Sequence, residues 1–184
     1  MAGARTAKLI EIEWPEFGLG DPPPGPGLME FEARIDAARA AMEVRGLTHL
    51  VVYGDREHFA NLAYLTGFDP RFEEALLILA RQGEPLLVVG NECEAYLAIS
   101  PLYVAGKLLG DRYQPFSLLN QPREDSRLIH EIFHGEGIGQ NARIGCAGCK
   151  YLTEAEHPSA AHALELTAYL VDTLRELAGW ESEV

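Results

Sequence analysis

The 184-residue sequence predicts an α/β fold of three layers, with helices on both faces of a mixed β-sheet. Three observations predict it. Leu50-Val51-Val52-Tyr53 is a short, apolar, β-branched run of the kind that forms a buried strand. A second such run, Ala75 to Ala80, follows a stretch with helical spacing. Glycine-punctuated helical and strand patterns then alternate through most of the chain. A chain of this size buries roughly 70% of its unfolded surface, enough for a core without disulfide or metal staples.

Taken in order, residues 7 to 14 alternate weakly, as an edge strand or docked extension would. Pro15 to Gly27 carries Gly20-Asp21-Pro22-Pro23-Pro24-Gly25-Pro26-Gly27, and proline without an amide donor cannot join a ladder or helix interior. Residues 1–27 therefore read as an extension and linker, and residues 28–180 as the domain. Phe31, Ile35, Ala38 and Met42 form one stripe of a helix over 30–45, closed by Gly46. The strand over 47–53 follows.

Gly54-Asp55 turns the chain, with Asp55 expected to cap a short helix carrying Phe59, Leu62 and Leu65 that stops at Gly67. After the 75–80 strand, Arg81 to Glu84 turns into Pro85–Val89, giving a hairpin. Asn91 is expected to cap a helix over 92–99, and short strands are expected around Leu102 and over 113–116. An amphipathic helix over 123–134, a strand over 142–146 and a last helix capped by Thr167 and ended by Gly179 complete the pattern.

The net charge of −13 argues against nucleic acid or an anionic membrane as partner, because phosphate binding needs clustered Lys and Arg. Cys93, Cys146 and Cys149 are too few and too unevenly spaced for a disulfide framework. No apolar run reaches signal-peptide or membrane-span length, so a cytoplasmic location is the expectation.

Two motifs invite a metal. His130-Glu131-Ile132-Phe133-His134 is a literal H-E-x-x-H, in which His130 and His134 would ligate zinc, Glu131 would act as base, and Glu154 stands at a plausible distance for a third ligand. Against it, Leu128, Ile129, Ile132 and Phe133 take the buried side, and Gln140 stands where an extended motif has its third histidine. A solvated helix face is the favoured reading. Cys146-Ala147-Gly148-Cys149 is a single CxxC whose nearest further ligands are His157 and His162, and it reads better as a turn at a strand end. Glu73-Glu74 reads as a solvated edge. No nucleophile elbow or phosphate loop is present in the sequence.

Asp55-Arg56-Glu57-His58-Phe59-Ala60-Asn61 followed by Tyr64-Leu65-Thr66-Gly67-Phe68 resembles the N-terminal domain of the creatinase, prolidase and aminopeptidase P family. The preceding helix ending in Gly46-Leu47, the turn at Gly83-Glu84-Pro85 and the late Arg143 to Gly148 segment are similar too. The resemblance covers roughly residues 28 to 179. It implies a ribonuclease-H-like fold without that nuclease's chemistry.

It also implies a separate C-terminal catalytic domain, absent from this sequence, whose two Asp, one His and two Glu hold a pair of divalent metals (Mn, Zn or Co). His134 to Gly137 only echoes that domain's His-Gly-x-Gly. The implied role is a non-catalytic domain of an Xaa-Pro peptidase-like protein, which helps form a homo-oligomer (a dimer) and leans over a neighbouring subunit's active site. Phe68 and Arg71, in the loop after Gly67, are the implied substrate contacts in trans. A self-contained zinc hydrolase and a small-molecule module at the ends of the Leu50 and Ala75 strands are the alternatives.

Overall fold

A five-stranded sheet with strand order β4-β3-β2-β1-β5 runs through the domain in this computed structural model. The structure describes residues 7–18, 20, 24–123, 126–148, 150, 152–160 and 163–179. The strands are β1 His49–Gly54, β2 Ala75–Ala80, β3 Leu86–Val89, β4 Leu109–Arg112 and β5 Ile144–Ala147. β1 and β2 pair antiparallel from His49↔Ala80 to Gly54↔Ala75, and β2 and β3 pair antiparallel from Ala75↔Val89 to Ile78↔Leu86. β5 runs parallel to β1 and β4 parallel to β3, so the sheet is mixed.

Alternation along the strands divides the core in two. Val52, Leu77, Leu79, Leu87 and Val89 face one side, where Phe31, Ile35 and Met42 of α1 (Leu28–Val44) and Leu62 and Leu65 of α2 (Ala60–Thr66) cover them. Leu102 of α3 (Pro101–Val104) joins that side. Val51, Leu76, Ile78, Leu86 and Val88 face the other, beneath Ile132 and Phe133 of α4 (Ile129–Gly135) and Leu170 and Leu174 of α5 (Ala168–Ala178). This is the three-layer α/β arrangement with helices on both faces. Leu76 to Leu79 are each 0% exposed, and burial on both sides explains their uninterrupted apolar run.

Several local expectations need correction. Residues 7–14 form no strand and lie exposed. Asp55 does not cap α2, whose N-cap is Phe59; its carboxylate instead accepts the Glu57 and His58 amides at 2.8 and 2.7 Å in the turn before the helix. Asn91 opens a turn, and the segment after it is a 3₁₀ helix confined to Ala95–Ile99.

Leu102 lies in α3 and not in a strand, because Ser100 caps Tyr103 N and Pro101 supplies the first helical φ. The strand expected over 113–116 is displaced to β4, and Gln114–Phe116 is a 3₁₀ turn. α4 starts only at Ile129, after extended Leu128, whose N–H donates to the Glu131 carboxylate at 3.0 Å. Thr167 is the N-cap of α5 by position, without a side-chain cap bond.

Candidate functional site

The carboxyl end of β1, the start of β2 and the carboxyl ends of β3 and β4 all meet at one end of the sheet. The loop between α2 and β2 crosses that end, and its geometry is set by the segment before it. Asn61 Nδ2 donates to the Gly148 carbonyl at 2.6 Å, tying α2 to the chain just beyond β5. The Tyr64 carbonyl accepts Arg34, whose guanidinium also lies 4.3 Å from the Tyr64 ring centre. Thr66 Oγ1 donates to the Leu62 carbonyl and accepts the Phe68 amide.

Gly67 then reverses the chain at φ 71°, where a Cβ would stand 2.9 Å from Phe31 Cζ. Only glycine suits both the left-handed backbone and that approach. The most family-like stretch of the sequence is therefore an architectural device that aims the loop.

Phe68 and Arg71 part company in the structure. Phe68 is 0% exposed and sits edge-on to Tyr96 at 5.8 Å, inside the α1/α2 core. Its side chain is not at the surface. Arg71 is at the surface, with a positive φ of 59° that is uncommon for a residue other than glycine. The Asp69 carboxylate holds that turn by accepting Arg71 N at 2.7 Å. Arg71 Nε donates to the Tyr96 hydroxyl at 2.8 Å, and the Asp69 carboxylate lies 3.8 Å from Nε. The hydrogen bond to Tyr96, with the nearby Asp69 charge, favours the cationic guanidinium further. A cation that keeps its proton and is more than half exposed (59%) is suited to grip a carboxylate or carbonyl brought to it.

Beside the loop is a cleft of about 400 Å³ lined by Asp55, His58, Phe72, Glu73, Glu74 and Phe116, among others. Glu73 is not part of a solvated edge. It is 4% exposed, and its carboxylate accepts the Glu92 and Cys93 amides at 3.1 and 3.0 Å. Gly90 makes room for it, since a Cβ there would meet Glu73 Oε2 at 2.5 Å. Burial, with the Glu73 contact, pushes the Cys93 thiol up to about 12, and its S–H donates to the Pro70 carbonyl. Glu74 accepts the Tyr53 hydroxyl at 2.6 Å. Burial works against the Asp55 carboxylate, but the Glu57 and His58 amides and the His58 ring hold it below its ordinary range.

The metal alternative is not assembled. His130, Glu131 and His134 lie exposed along α4, and Glu154 is exposed in a turn over 154–156. Among the described residues no three His, Cys, Asp or Glu side chains come together as a metal site requires. The CxxC reading falls partly on Cys149 and His162, which lie outside the described residues; Cys146 is a free thiol, pushed up to about 12 by burial.

The family model of the Creatinase/Prolidase N-terminal domain matches residues 34–145. The chain belongs to that family. No curated protein matches it.

Solved structures similar to this domain include dipeptidase PepE from Mycobacterium ulcerans, 23% identical with a TM-score of 0.46, over 81% of this chain and 36% of that one. The N-terminal domain of a putative metallopeptidase from Corynebacterium diphtheriae is 17% identical with a TM-score of 0.49, over 83% and 92%. The Creatinase/Prolidase N-terminal domain of an X-Pro dipeptidase from Streptococcus pyogenes is 18% identical with a TM-score of 0.46, over 79% and 94%. The chain thus spans about a third of the Mycobacterium dipeptidase's length. Among the described residues, no helix is long and apolar enough to cross a membrane.

Proposed function

We propose that this chain acts as the non-catalytic N-terminal domain of a metal-dependent Xaa-Pro peptidase-like protein, working in a homodimer in the cytoplasm. The observation that carries this reading is the family match over residues 34–145. The catalytic metals, Mn, Zn or Co, belong to a separate C-terminal domain, and this chain supplies assembly and cover. Arg71 is its contribution to a neighbouring subunit's active site, where the guanidinium receives a carboxylate or carbonyl of the peptide. Phe68, buried behind it, acts by holding the loop.

The test uses the protein that joins this domain to its catalytic half. Arg71→Ala is expected to raise KM for an Xaa-Pro peptide, and to lower kcat/KM about tenfold or more, with the oligomer unchanged. Unchanged kinetics would remove Arg71 from the site.

The cleft beside Arg71 supports one second reading, a small-molecule module at the ends of β1 and β2. A thermal-shift screen of short peptides and amidines in which nothing raises the melting temperature would count against it.

A further inference from the structure

Among the described residues, the N-terminal arm carries a run of uncovered apolar side chains. Leu9, Ile10, Ile12, Trp14 and Phe17 are 100, 67, 64, 79 and 85% exposed. Ile10, Ile12 and Trp14 alternate with Glu11 and Glu13, so an extended arm has one apolar and one acidic face. Pro15 ends the pattern where a strand would have to stop.

The sheet has two edges of opposite character. β4 carries Asp111 and Arg112, which pair with Arg127 and Glu94, and charges of this kind guard an edge against added strands. β5, at the other edge, is Ile144-Gly145-Cys146-Ala147, with no charge in it. On its α1 side, Leu47, Leu50 and Ala147 are only partly buried against the core, and Gly145 presents no side chain beside Leu47 and Leu50. The result, among the described residues, is a low apolar shelf along a strand that pairs with β1 alone. Cations flank it: Arg143 precedes β5 with its guanidinium over Gly46, Arg81 donates to the Leu47 carbonyl, and the Arg175 charge acts on the Cys146 thiol. Beyond the far end of β5, Glu165 pairs with Lys150 at 3.2 Å.

We propose that residues 8–14 of a second copy of this chain add to the open edge of β5 as a sixth strand, reciprocally in a dimer. Main-chain hydrogen bonds supply the attachment. Ile10, Ile12 and Trp14 cover the shelf on the α1 side, and Glu11 and Glu13 face the other side of the sheet, where the Arg175 charge reaches Cys146. Residues 15–27 span on the order of 40 Å when extended, enough to carry the arm to a neighbour. The inference rests on the homo-oligomer part of the proposed function and names its contact.

The experiment compares the full chain with the double variant Ile10→Glu, Ile12→Glu by sedimentation velocity over a concentration series, with hydrogen exchange followed at residues 144–147. Both substituted positions are exposed, so the fold is expected to survive, and circular dichroism checks that it does. The full chain is expected to dimerise with protected β5 amides; the variant is expected to dimerise at least tenfold more weakly and to lose that protection. A dimer unaffected by the substitutions would overturn the arm contact and leave the oligomer reading standing. A monomer at every concentration would overturn both. Protected β5 amides in a monomer would place the arm on its own chain and overturn the exchange.

Discussion

Replacing Phe68 by alanine separates a packing residue from a binding residue. The side chain is 0% exposed within the core cluster that contains Phe31, Leu62 and Leu65, and its ring meets Tyr96 edge-on at 5.8 Å. Truncating a buried phenylalanine removes its transfer free energy and leaves a cavity, together about 3–5 kcal/mol. Of that, about 0.5–1.5 kcal/mol belongs to the ring pair with Tyr96. Set against a total stability of about 5–15 kcal/mol, the loss is a large fraction.

Urea unfolding followed by circular dichroism reads it as a lower midpoint at constant slope. Phe68→Leu keeps most of the volume and is expected to lose no more than about 1.5 kcal/mol. A loss below about 1 kcal/mol for Phe68→Ala would refute the burial argument, and with it the assignment of Phe68 as the prop behind Arg71.

Gly67→Ala combines a left-handed backbone with a Cβ 2.9 Å from Phe31 and 3.1 Å from Pro101, so a loss of about 2–4 kcal/mol is expected in the same assay. His49 is expected to make stability fall as pH drops. Burial lowers its pKa from 6.5 although its ring bonds the Glu136 carbonyl, so the unfolded chain binds the proton more readily. Its stability contribution is complete above pH 6.5 and is lost as pH falls through the lower folded value; melting temperatures of His49→Gln against pH should show a flatter profile there. Tyr53→Phe removes the donor to Glu74 and is expected to cost about 0.5–1.5 kcal/mol, read by thermal unfolding.

What could be read from the sequence was local or periodic. The Ala75–Ala80 strand was legible because both its faces are covered, and the stop at Gly67 because a left-handed cap favours glycine. The three layers followed from the alternation of such segments. What failed depended on competition between neighbours or on contacts distant in sequence. Leu102 sits in an apolar stretch that looks like a strand, yet Ser100-Pro101 starts a helix there, a two-residue capping signal beside a longer apolar run.

Glu73 looked like half of a solvated acid pair; only the approach of the Glu92 and Cys93 amides, 19 and 20 residues away, turns it inward. Phe68 and Arg71 are three positions apart in one loop, and nothing in their spacing says that one packs inward while the other takes a left-handed turn outward. Asp69 is the partial signal, since an aspartate two residues ahead readily accepts the amide of such a turn.

On the proposed function, this chain shapes and assembles a metallopeptidase without itself holding the metals. Metal content, measured by mass spectrometry on the purified chain after dialysis against trace zinc and manganese, tests it most directly. The expected result is metal far below stoichiometric. Zinc bound near one equivalent per chain, and lost in His134→Ala, would contradict the account and make Glu131 the next residue to replace.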